Sequence, residues 1–301
     1  MAEPDRSAPS TASIDLPAHA TSDLDLIFLL ADTPIPEVQE KYGTYHDIFA
    51  ALFERAVKLA ADDGAVPGDS GYEKSEKKQE GGHKLNIQSY NAVDGHLPSE
   101  ERVKKADGIL ITGSASNAHD DLPWIKNLIN FVRKLPSINA DLKVMGICFG
   151  HQIVTQAYGG TCGPSEKGWE IGTRKLRLTE RGKEVFPGHD LHHRLGVHQM
   201  HRDVCPEVPE GFDLLASTHV CPNHGSVKFV DPSAKFSLRN IAIITLQGHP
   251  EFNATIVNTL IDVREERGVI PKEIGEASRE YSGDHDDGNY IARRFLGMFG
   301  I

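Results

Sequence analysis

Cysteine is scarce in this chain and does not occur in pairs. The 301 residues contain four cysteines, Cys148, Cys162, Cys205 and Cys221, and no Cys-x-x-Cys motif. This count and spacing exclude a small scaffold held together by many disulfides. Cys162, Cys205 and Cys221 are best interpreted as small core residues.

The chain also lacks an excess of basic residues and any long apolar run. It has 32 Lys and Arg against 43 Asp and Glu, for a formal net charge of −11. Nucleic acids and anionic membranes favour a basic face, so neither is expected as a partner. No window approaches the length of a membrane span, and residues 1–21 have no apolar core of a secretory signal. A composition of 39% hydrophobic and 25% charged residues is typical of globular proteins.

Short apolar runs alternate with amphipathic segments along most of the chain. Buried strands are predicted at 24–31, 84–91, 107–112, 142–145 and 241–246, and helices at 45–61, 99–105, 122–135, 152–158 and from about 253 to 266. This alternation predicts a doubly wound, mostly parallel α/β sheet with helices on both faces. Between 160 and 230 the short β-like runs predict a small mixed or antiparallel β region.

Composition divides the chain into three parts. Residues 1–22 are predicted to be a disordered tail, 23–270 a single domain, and 271–301 a C-terminal helical extension. Within the domain, residues 62–84 are polar, Gly-rich and charged. They are predicted to form a surface insertion, because such a segment cannot pack a core.

The block Gly-Ile-Cys-Phe-Gly-His-Gln at 146–152 lies between a predicted strand and a predicted helix. A Gly-x-Cys-x-Gly sequence in this position indicates a nucleophile elbow with sulfur in place of oxygen. The glycines permit the tight turn, and a helix that starts at Cys148 favours its thiolate. A buried, inert cysteine beside a glycine turn is the alternative interpretation. A cysteine nucleophile also favours a reducing compartment, and we expect a cytoplasmic protein.

The strand at 241–246 is followed by Gln-Gly-His-Pro-Glu-Phe at 247–252. Reactive groups gather at the carboxyl ends of strands in such sheets. We therefore expect His249 to act as the base for Cys148, and Glu251 to orient the imidazole.

Acyl transfer also needs donors for the oxyanion that forms on the carbonyl oxygen. The backbone N–H of Phe149 is one candidate from elbow geometry. The turn at Gly113 and Ser114, which follows the strand at 107–112, is the other. Alternatively, Gly113 is an ordinary loop glycine without a role in catalysis.

These blocks resemble the cysteine-triad, class I glutamine amidotransferases. GICFGHQ is similar to the family's cysteine block and QGHPEF to its His-Pro-Glu block, while VHQMHRD at 197–203 resembles the segment that holds the α-amino-acid end of the substrate. The resemblance covers about residues 24–267 and implies a flavodoxin-like sheet. ITGSASNAHDDLPWI, GICFGHQIVTQAYGG and EKGWEIG look like stand-alone members, namely fungal amidotransferase-like proteins and plant γ-glutamyl peptidases.

The resemblance implies roles for further residues. Gln152 would contact the bound γ-glutamyl group, and the backbone around Met200 and His201 would receive its α-carboxylate. Trp169 and Glu170 match the family's Lys-Gly-Trp block and would line the pocket. Cys148 would be the nucleophile, with His249 as base and acid. No cofactor is implied.

The function predicted in this way is hydrolysis or transfer of a γ-glutamyl amide through a glutamyl thioester. The substrate would be glutamine or another small γ-glutamyl compound. No P-loop and no synthetase region is found in the sequence, so ammonia would be used by a separate acceptor or synthetase chain; otherwise the protein would be a hydrolase or transpeptidase. A non-catalytic, regulatory member of the family is one alternative. A cysteine hydrolase of the dienelactone type or a stress protein is another, disfavoured by the His-Pro-Glu block.

The chain contains 15 histidines, several of them in one stretch. That stretch includes His189, His192, His193, His198 and His201, and His219 and His224 follow it. Their spacing is not a recognised zinc pattern, and in the sequence no cysteine or carboxylate completes one, so no metal site is expected. His151, next to the cysteine block, is interpreted as a structural residue at the start of a helix.

Overall fold

The structure, a computed structural model, describes residues 9–63, 82–187 and 194–301. The strands in these ranges are β1 (Ser10–Asp15), β2 (Leu24–Leu30), β3 (Lys84–Asn91), β4 (Gly108–Ile111), β5 (Lys143–Ile147), β6 (Gly163–Pro164), β7 (Glu170–Leu178), β8 (Arg194–His201), β9 (Asp203–Val204), β10 (Asp213–Ser217), β11 (Gly225–Phe229) and β12 (Ile241–Leu246). The helices are α1 (Pro36–Tyr42), α2 (Tyr45–Asp63), α3 (Glu100–Lys105), α4 (Pro123–Ile138), α5 (Phe149–Ala157), α6 (Glu180–Val185), α7 (Ala254–Glu266), α8 (Lys272–Ser282) and α9 (Gly288–Gly297).

Ten of these strands form one sheet in the order β1-β3-β2-β4-β5-β12-β11-β10-β7-β8. The five strands from β3 to β12 in that order are mutually parallel. Taken along the chain, they follow the 2-1-3-4-5 order of flavodoxin-like sheets. The predicted doubly wound α/β class is confirmed.

The expected antiparallel region is an extension of the main sheet. Strands β11, β10, β7 and β8 add to β12 one after another, each antiparallel to its neighbour. A separate two-stranded sheet pairs β6 with β9. The long hairpin-like pairing of β7 with β8 brings segment 170–178 beside segment 194–201 near the end of β12, so the antiparallel half of the sheet reaches the candidate site.

Helices cover both faces of the parallel strands. On one face α2, α7 and α9 pack on side chains such as Phe28, whose ring lies 6.0 Å from Phe49 and 5.8 Å from Phe53 between centroids. On the other face α3, α4 and α5 cover Ile27, Ile109 and their neighbours. Burial on both faces explains why the central strands are continuously apolar.

The prediction of a disordered tail over 1–22 differs from the structure at β1. Residues Ser10–Asp15 form an edge strand that pairs antiparallel with β3, and Ala12 and Ile14 pack against the core. An edge strand gains backbone hydrogen bonds from its neighbour and needs only one half-buried face. A Ser- and Ala-rich segment can therefore form an edge strand that its composition does not predict.

The predicted C-terminal helical extension contains two helices, α8 and α9. Helix α9 is part of the core, with Phe295 and Leu296 buried and the Arg294 Nε donating a hydrogen bond of 2.6 Å to the Val185 carbonyl oxygen. Most of the predicted insertion at 62–84 lies outside the described residues; its first two residues end α2 and its last opens β3. In the described ranges, none of the helices combines the length and apolar character that crossing a membrane requires.

Candidate active site

Cys148 lies between β5 and α5, at the carboxyl end of the parallel strands. Its backbone has φ 51° and ψ −103°, and in the described part of the chain it is the only residue other than glycine with a positive φ. Such a conformation costs about 1–3 kcal/mol and persists only where the surrounding structure enforces it. This is the strained strand-to-helix turn of a nucleophile elbow, which projects the side chain away from the sheet.

The two glycines of the elbow have no room for a side chain. A Cβ on Gly150 would lie 2.3 Å from the carbonyl oxygen of Ile111, and one on Gly146 would lie 2.7 Å from the carbonyl oxygen of Gly150. Both obstacles are backbone atoms of neighbouring elements. The Gly-x-Cys-x-Gly pattern is therefore required by the close approach of α5 to β4 and β5.

His249 and Glu251 follow β12, the neighbour of β5 in the sheet. The Nδ1 of His249 donates a hydrogen bond of 2.7 Å to Oε1 of Glu251, and the two residues are only 4% and 2% exposed. The imidazole stacks on Phe252 at 4.1 Å between ring centroids, with 2° between the planes. The backbone N–H of His249 also donates to the carbonyl oxygen of His198. These contacts fix the ring, so that its Nε2 faces away from Glu251.

The Cys148 sulfur lies next to this imidazole. A Cβ added to Gly113 would be 2.8 Å from Cε1 of His249 and 3.6 Å from Cβ of Cys148, so the three residues meet at one point. Burial disfavours the charged ring, but the negative charges of Glu251 and Cys148, with their hydrogen bonds to it, raise the pKa of His249 to about 10. The site therefore favours the protonated imidazole beside the Cys148 sulfur. A cysteine reacts as its thiolate, which a neighbouring positive charge stabilises.

The turn after β4, at Gly113 and Ser114, also borders the site. Gly113 packs against Cys148 and His249 as described, and the Thr112 hydroxyl donates to its carbonyl oxygen at 3.0 Å. Ser114 uses its side-chain oxygen to accept from the N–H of Ser116 at 3.0 Å. The N–H of Phe149 is at the first position of α5, where helix N–H groups have no partner within the helix. The predicted oxyanion donors thus belong to segments that converge on Cys148.

A chain of side-chain amides leads from the sulfur into the protein. Gln247 Nε2 lies 3.4 Å from Cys148 Sγ, and its Oε1 accepts from Gln152 Nε2 at 3.1 Å. Gln152 Nε2 also lies 3.3 Å from the carbonyl oxygen of Asp203. Gln152 was predicted from the family resemblance, whereas Gln247 was missed. The signal for Gln247 was its position as the first residue after a buried strand, two before His249.

A second positive group, Arg264, reaches the site from α7. Burial lowers the pKa of Arg264, while the neighbouring Tyr45, Cys148 and Asp32 oppose that change. Asp32 follows β2 and accepts an N–H of Ala115, at 2.6 Å, beside the Gly113 turn. The guanidinium of Arg264 therefore adds positive potential near the Cys148 sulfur.

The other residues suggested by resemblance lie on β7 and β8. Met200 and His201 are buried at the end of β8, where Glu170 of β7 is the register partner of His201. Glu170 does not point at the nucleophile, because its Oε2 lies 2.7 Å from Nε2 of His224 and 3.3 Å from Nε2 of His201. Trp169 is half-buried and packs against the same core cluster as Cys148.

The remaining histidines have separate environments. His151 is fully buried and bonds through Nδ1 to the Thr245 hydroxyl at 2.8 Å, and burial, with His224 and His201 nearby, lowers its pKa to about 3. This is the structural role expected for it. His198 lies 3.1 Å from the Thr173 hydroxyl through Nδ1. His189, His192 and His193 lie outside the described residues.

Comparisons with known proteins identify the family. The chain matches the model of the class I glutamine amidotransferases over residues 76–261. It is 31% identical over 272 residues to a glutamine amidotransferase-like protein of Schizosaccharomyces pombe. This alignment covers 90% of this chain and 96% of that protein. It is 30% identical over 257 residues to gamma-glutamyl peptidase 4 of Arabidopsis thaliana, with 84% of this chain and 86% of that protein covered.

A solved structure of a glutamine amidotransferase from Methylobacillus flagellatus has the same fold. It superposes with a TM-score of 0.58 over 93% of this chain and 95% of that one, at 18% identity. The chain therefore belongs to the class I glutamine amidotransferase family. The resemblance stated from the cysteine and His-Pro-Glu blocks, to fungal amidotransferase-like proteins and plant γ-glutamyl peptidases, is confirmed.

Proposed function

We propose that this protein hydrolyses or transfers γ-glutamyl amides through a glutamyl thioester on Cys148. The observation that carries the proposal is the convergence of a strained cysteine elbow with an imidazole held by Glu251 at 2.7 Å. The family supports γ-glutamyl amide chemistry in general, and one relative is named a gamma-glutamyl peptidase.

In the first half-reaction the Cys148 thiolate attacks the γ-carbonyl carbon, and a C–S bond forms. The carbonyl oxygen takes the negative charge and accepts from the N–H of Phe149 and the Gly113–Ser114 turn. Collapse of this intermediate breaks the C–N bond, and the Nε2 proton of His249 passes to the leaving amine. The thioester and a neutral imidazole remain.

In the second half-reaction the neutral His249 accepts a proton from water or from an acceptor amine. The activated nucleophile attacks the thioester, the C–S bond breaks, and glutamate or a new γ-glutamyl amide leaves. Glu251 keeps Nδ1 protonated throughout, so that Nε2 alone exchanges the proton. Gln247 donates a hydrogen bond to the Cys148 sulfur when Cys148 is in the thiolate form.

The ammonia released from glutamine would need a separate acceptor or synthetase chain in order to be used. A γ-glutamyl peptide or conjugate would instead release an amine and need no partner. We infer that the family-derived substrate residues, Gln152 and the backbone around Met200 and His201, recognise the glutamyl half that both kinds of substrate share.

The test uses a mechanism-based label and a substrate panel. A diazo or chloroketone analogue of glutamine is expected to add one mass increment to Cys148, located by peptide mass spectrometry. A panel of glutamine, γ-glutamyl amino acids and γ-glutamyl peptides, with glutamate and ammonia measured separately, identifies the leaving group. The absence both of a Cys148 adduct and of any turnover above that of Cys148→Ala would overturn the proposal.

A further inference from the structure

Glu170, His201 and His224 form a buried cluster next to the candidate active site. Glu170 begins β7, His201 ends β8 as its register partner, and His224 directly precedes β11. The three residues are 3%, 4% and 0% exposed. Three separate segments thus bring two imidazoles and one carboxylate together in the protein interior.

The spacing of their polar atoms suits a metal ion. Glu170 Oε2 lies 2.7 Å from His224 Nε2 and 3.3 Å from His201 Nε2, and the possible ligand atoms all lie within 4.8 Å of one another. A tetrahedral zinc ion with bonds of about 2.0–2.1 Å holds its ligand atoms about 3.3 Å apart. To hold one ion, His224 Nε2 would give up the hydrogen it shares with Glu170 Oε2, these two atoms would move apart, and the more distant ligand atoms would approach.

The hydrogen bonding of His201 indicates which ring nitrogen is available. Its Nδ1 lies 3.1 Å from the carbonyl oxygen of Asp203, which can only accept, so Nδ1 carries the hydrogen. In the neutral ring Nε2 then presents a lone pair toward Glu170 Oε2, which lies 3.3 Å away and as a carboxylate oxygen cannot donate. Two electron-rich atoms face each other, and a cation between them satisfies both. A Nδ1–H donated to a backbone carbonyl is also the usual arrangement of a metal-binding histidine.

We propose that Glu170, His201 and His224 bind one divalent transition-metal ion, with zinc as the expected occupant. The ion ties β7, β8 and the start of β11 together. It also fixes Asp203, whose carbonyl oxygen lies near the side-chain amide of Gln152. The role is structural, beneath the segment that the substrate is proposed to contact, and the proposal does not depend on the proposed reaction.

The histidine spacing alone predicts no metal site, because no cysteine or carboxylate near those histidines completes a zinc pattern. The carboxylate of this cluster is Glu170, 31 residues before His201 in the chain. The pairing of β7 with β8 supplies it. Metal motifs defined by the spacing of residues along the chain cannot detect three ligands that come from distant segments.

The experiment uses the full chain without a histidine tag, in a Cys148→Ser background that removes the active-site thiol as a competing ligand. After dialysis against a chelator, Zn²⁺ is titrated in competition with a chromophoric chelator, and Co²⁺ binding is followed by visible absorption. We expect one equivalent of metal, a tetrahedral Co²⁺ spectrum and a higher Tm with Zn²⁺.

His224→Gln and Glu170→Gln in the same background should each lose the bound equivalent and the Tm shift. The matched control is His219→Gln, an exposed histidine five positions before His224. Circular dichroism checks the fold of each variant. If the Cys148→Ser protein takes up no metal, or if His224→Gln binds it as tightly as the control does, the proposal is wrong. Should both cluster variants fail to fold, the titration of the Cys148→Ser protein decides alone.

Discussion

The Nδ1 of His249 donates to the Oε1 of Glu251 at 2.7 Å, although the two residues are separated only by Pro250. The bond fixes the tautomer of a buried ring and places a negative charge beside it. Both effects support a proton-transfer role for Nε2, because the ring must present the same nitrogen to sulfur and to the leaving amine.

Glu251→Gln tests that role. The amide preserves the shape but removes the charge, so the pKa of His249 should fall and kcat should drop by about 10²–10⁴-fold, the usual contribution of general acid–base catalysis. The measurements are kcat on the best γ-glutamyl substrate and the pH profile of kcat. Glu266→Gln, an exposed glutamate on α7, is the control and should leave both unchanged. Full activity in Glu251→Gln would rule out the assigned role.

The parallel half of the sheet could be predicted from the sequence because most of its strands are apolar runs buried on both faces. β3 and β12 were predicted with the bounds that the structure has. β12 is such a run, whereas β3 alternates buried with half-buried residues, the pattern of a strand with one buried face. The segment of β8 was not predicted as a strand. It is rich in His and Gln, and it is a strand because β7 pairs with it. Gln247 and the Glu170 cluster were missed for the same reason, because they depend on contacts between distant segments.

Cys148→Ala should lower the pKa of His249 from about 10, since the thiolate charge and its hydrogen bond help to raise it. Nuclear magnetic resonance titration of an imidazole-labelled protein measures this directly. The folded pKa exceeds the ordinary value of 6.5, so protonation of His249 stabilises the fold below about pH 6.5, and that stabilisation is lost as the pH rises to about 10. Urea unfolding at a series of pH values measures this contribution to the free energy of unfolding. In Cys148→Ala the contribution should disappear at a lower pH than in the unsubstituted protein. An unchanged His249 titration would show that the sulfur does not contact the ring.

Gln247→Met tests the hydrogen bond to sulfur. Methionine preserves the volume but cannot donate, and a hydrogen bond to a charged group contributes about 1.5–3 kcal/mol. The rate of Cys148 alkylation by iodoacetamide at neutral pH should therefore fall by about 10-fold or more. Gln156→Met, on the far end of α5 and bonded to the Ala118 carbonyl oxygen, is the control. Equal alkylation rates would show that the 3.4 Å contact does not stabilise the thiolate.

Arg264→Gln tests the positive potential from α7. Removing a guanidinium near the thiolate should slow alkylation of Cys148 by up to about tenfold, equivalent to about 1.4 kcal/mol. Added salt screens charges that solvent can reach. The difference in alkylation rate between Arg264→Gln and the unsubstituted protein should therefore decrease with salt only if solvent enters the site. Arg267→Gln, three residues further along and exposed, is the matched control for net charge. If the two variants react at the same rate, Arg264 does not act on the sulfur.

Gly113→Ala tests whether the turn after β4 must approach the catalytic pair. The added methyl group would lie 2.8 Å from Cε1 of His249, so the ring or the turn has to move by several tenths of an ångström. A misplacement of about 1 Å in an active site can reduce the rate about 10²-fold, so we expect kcat to fall by up to that factor. Gly283→Ala is the control: it has φ −91° and no atoms within 4 Å of the new methyl group. Circular dichroism and Tm separate a local change from unfolding. Wild-type kcat in Gly113→Ala would mean that His249 does not occupy this position during turnover.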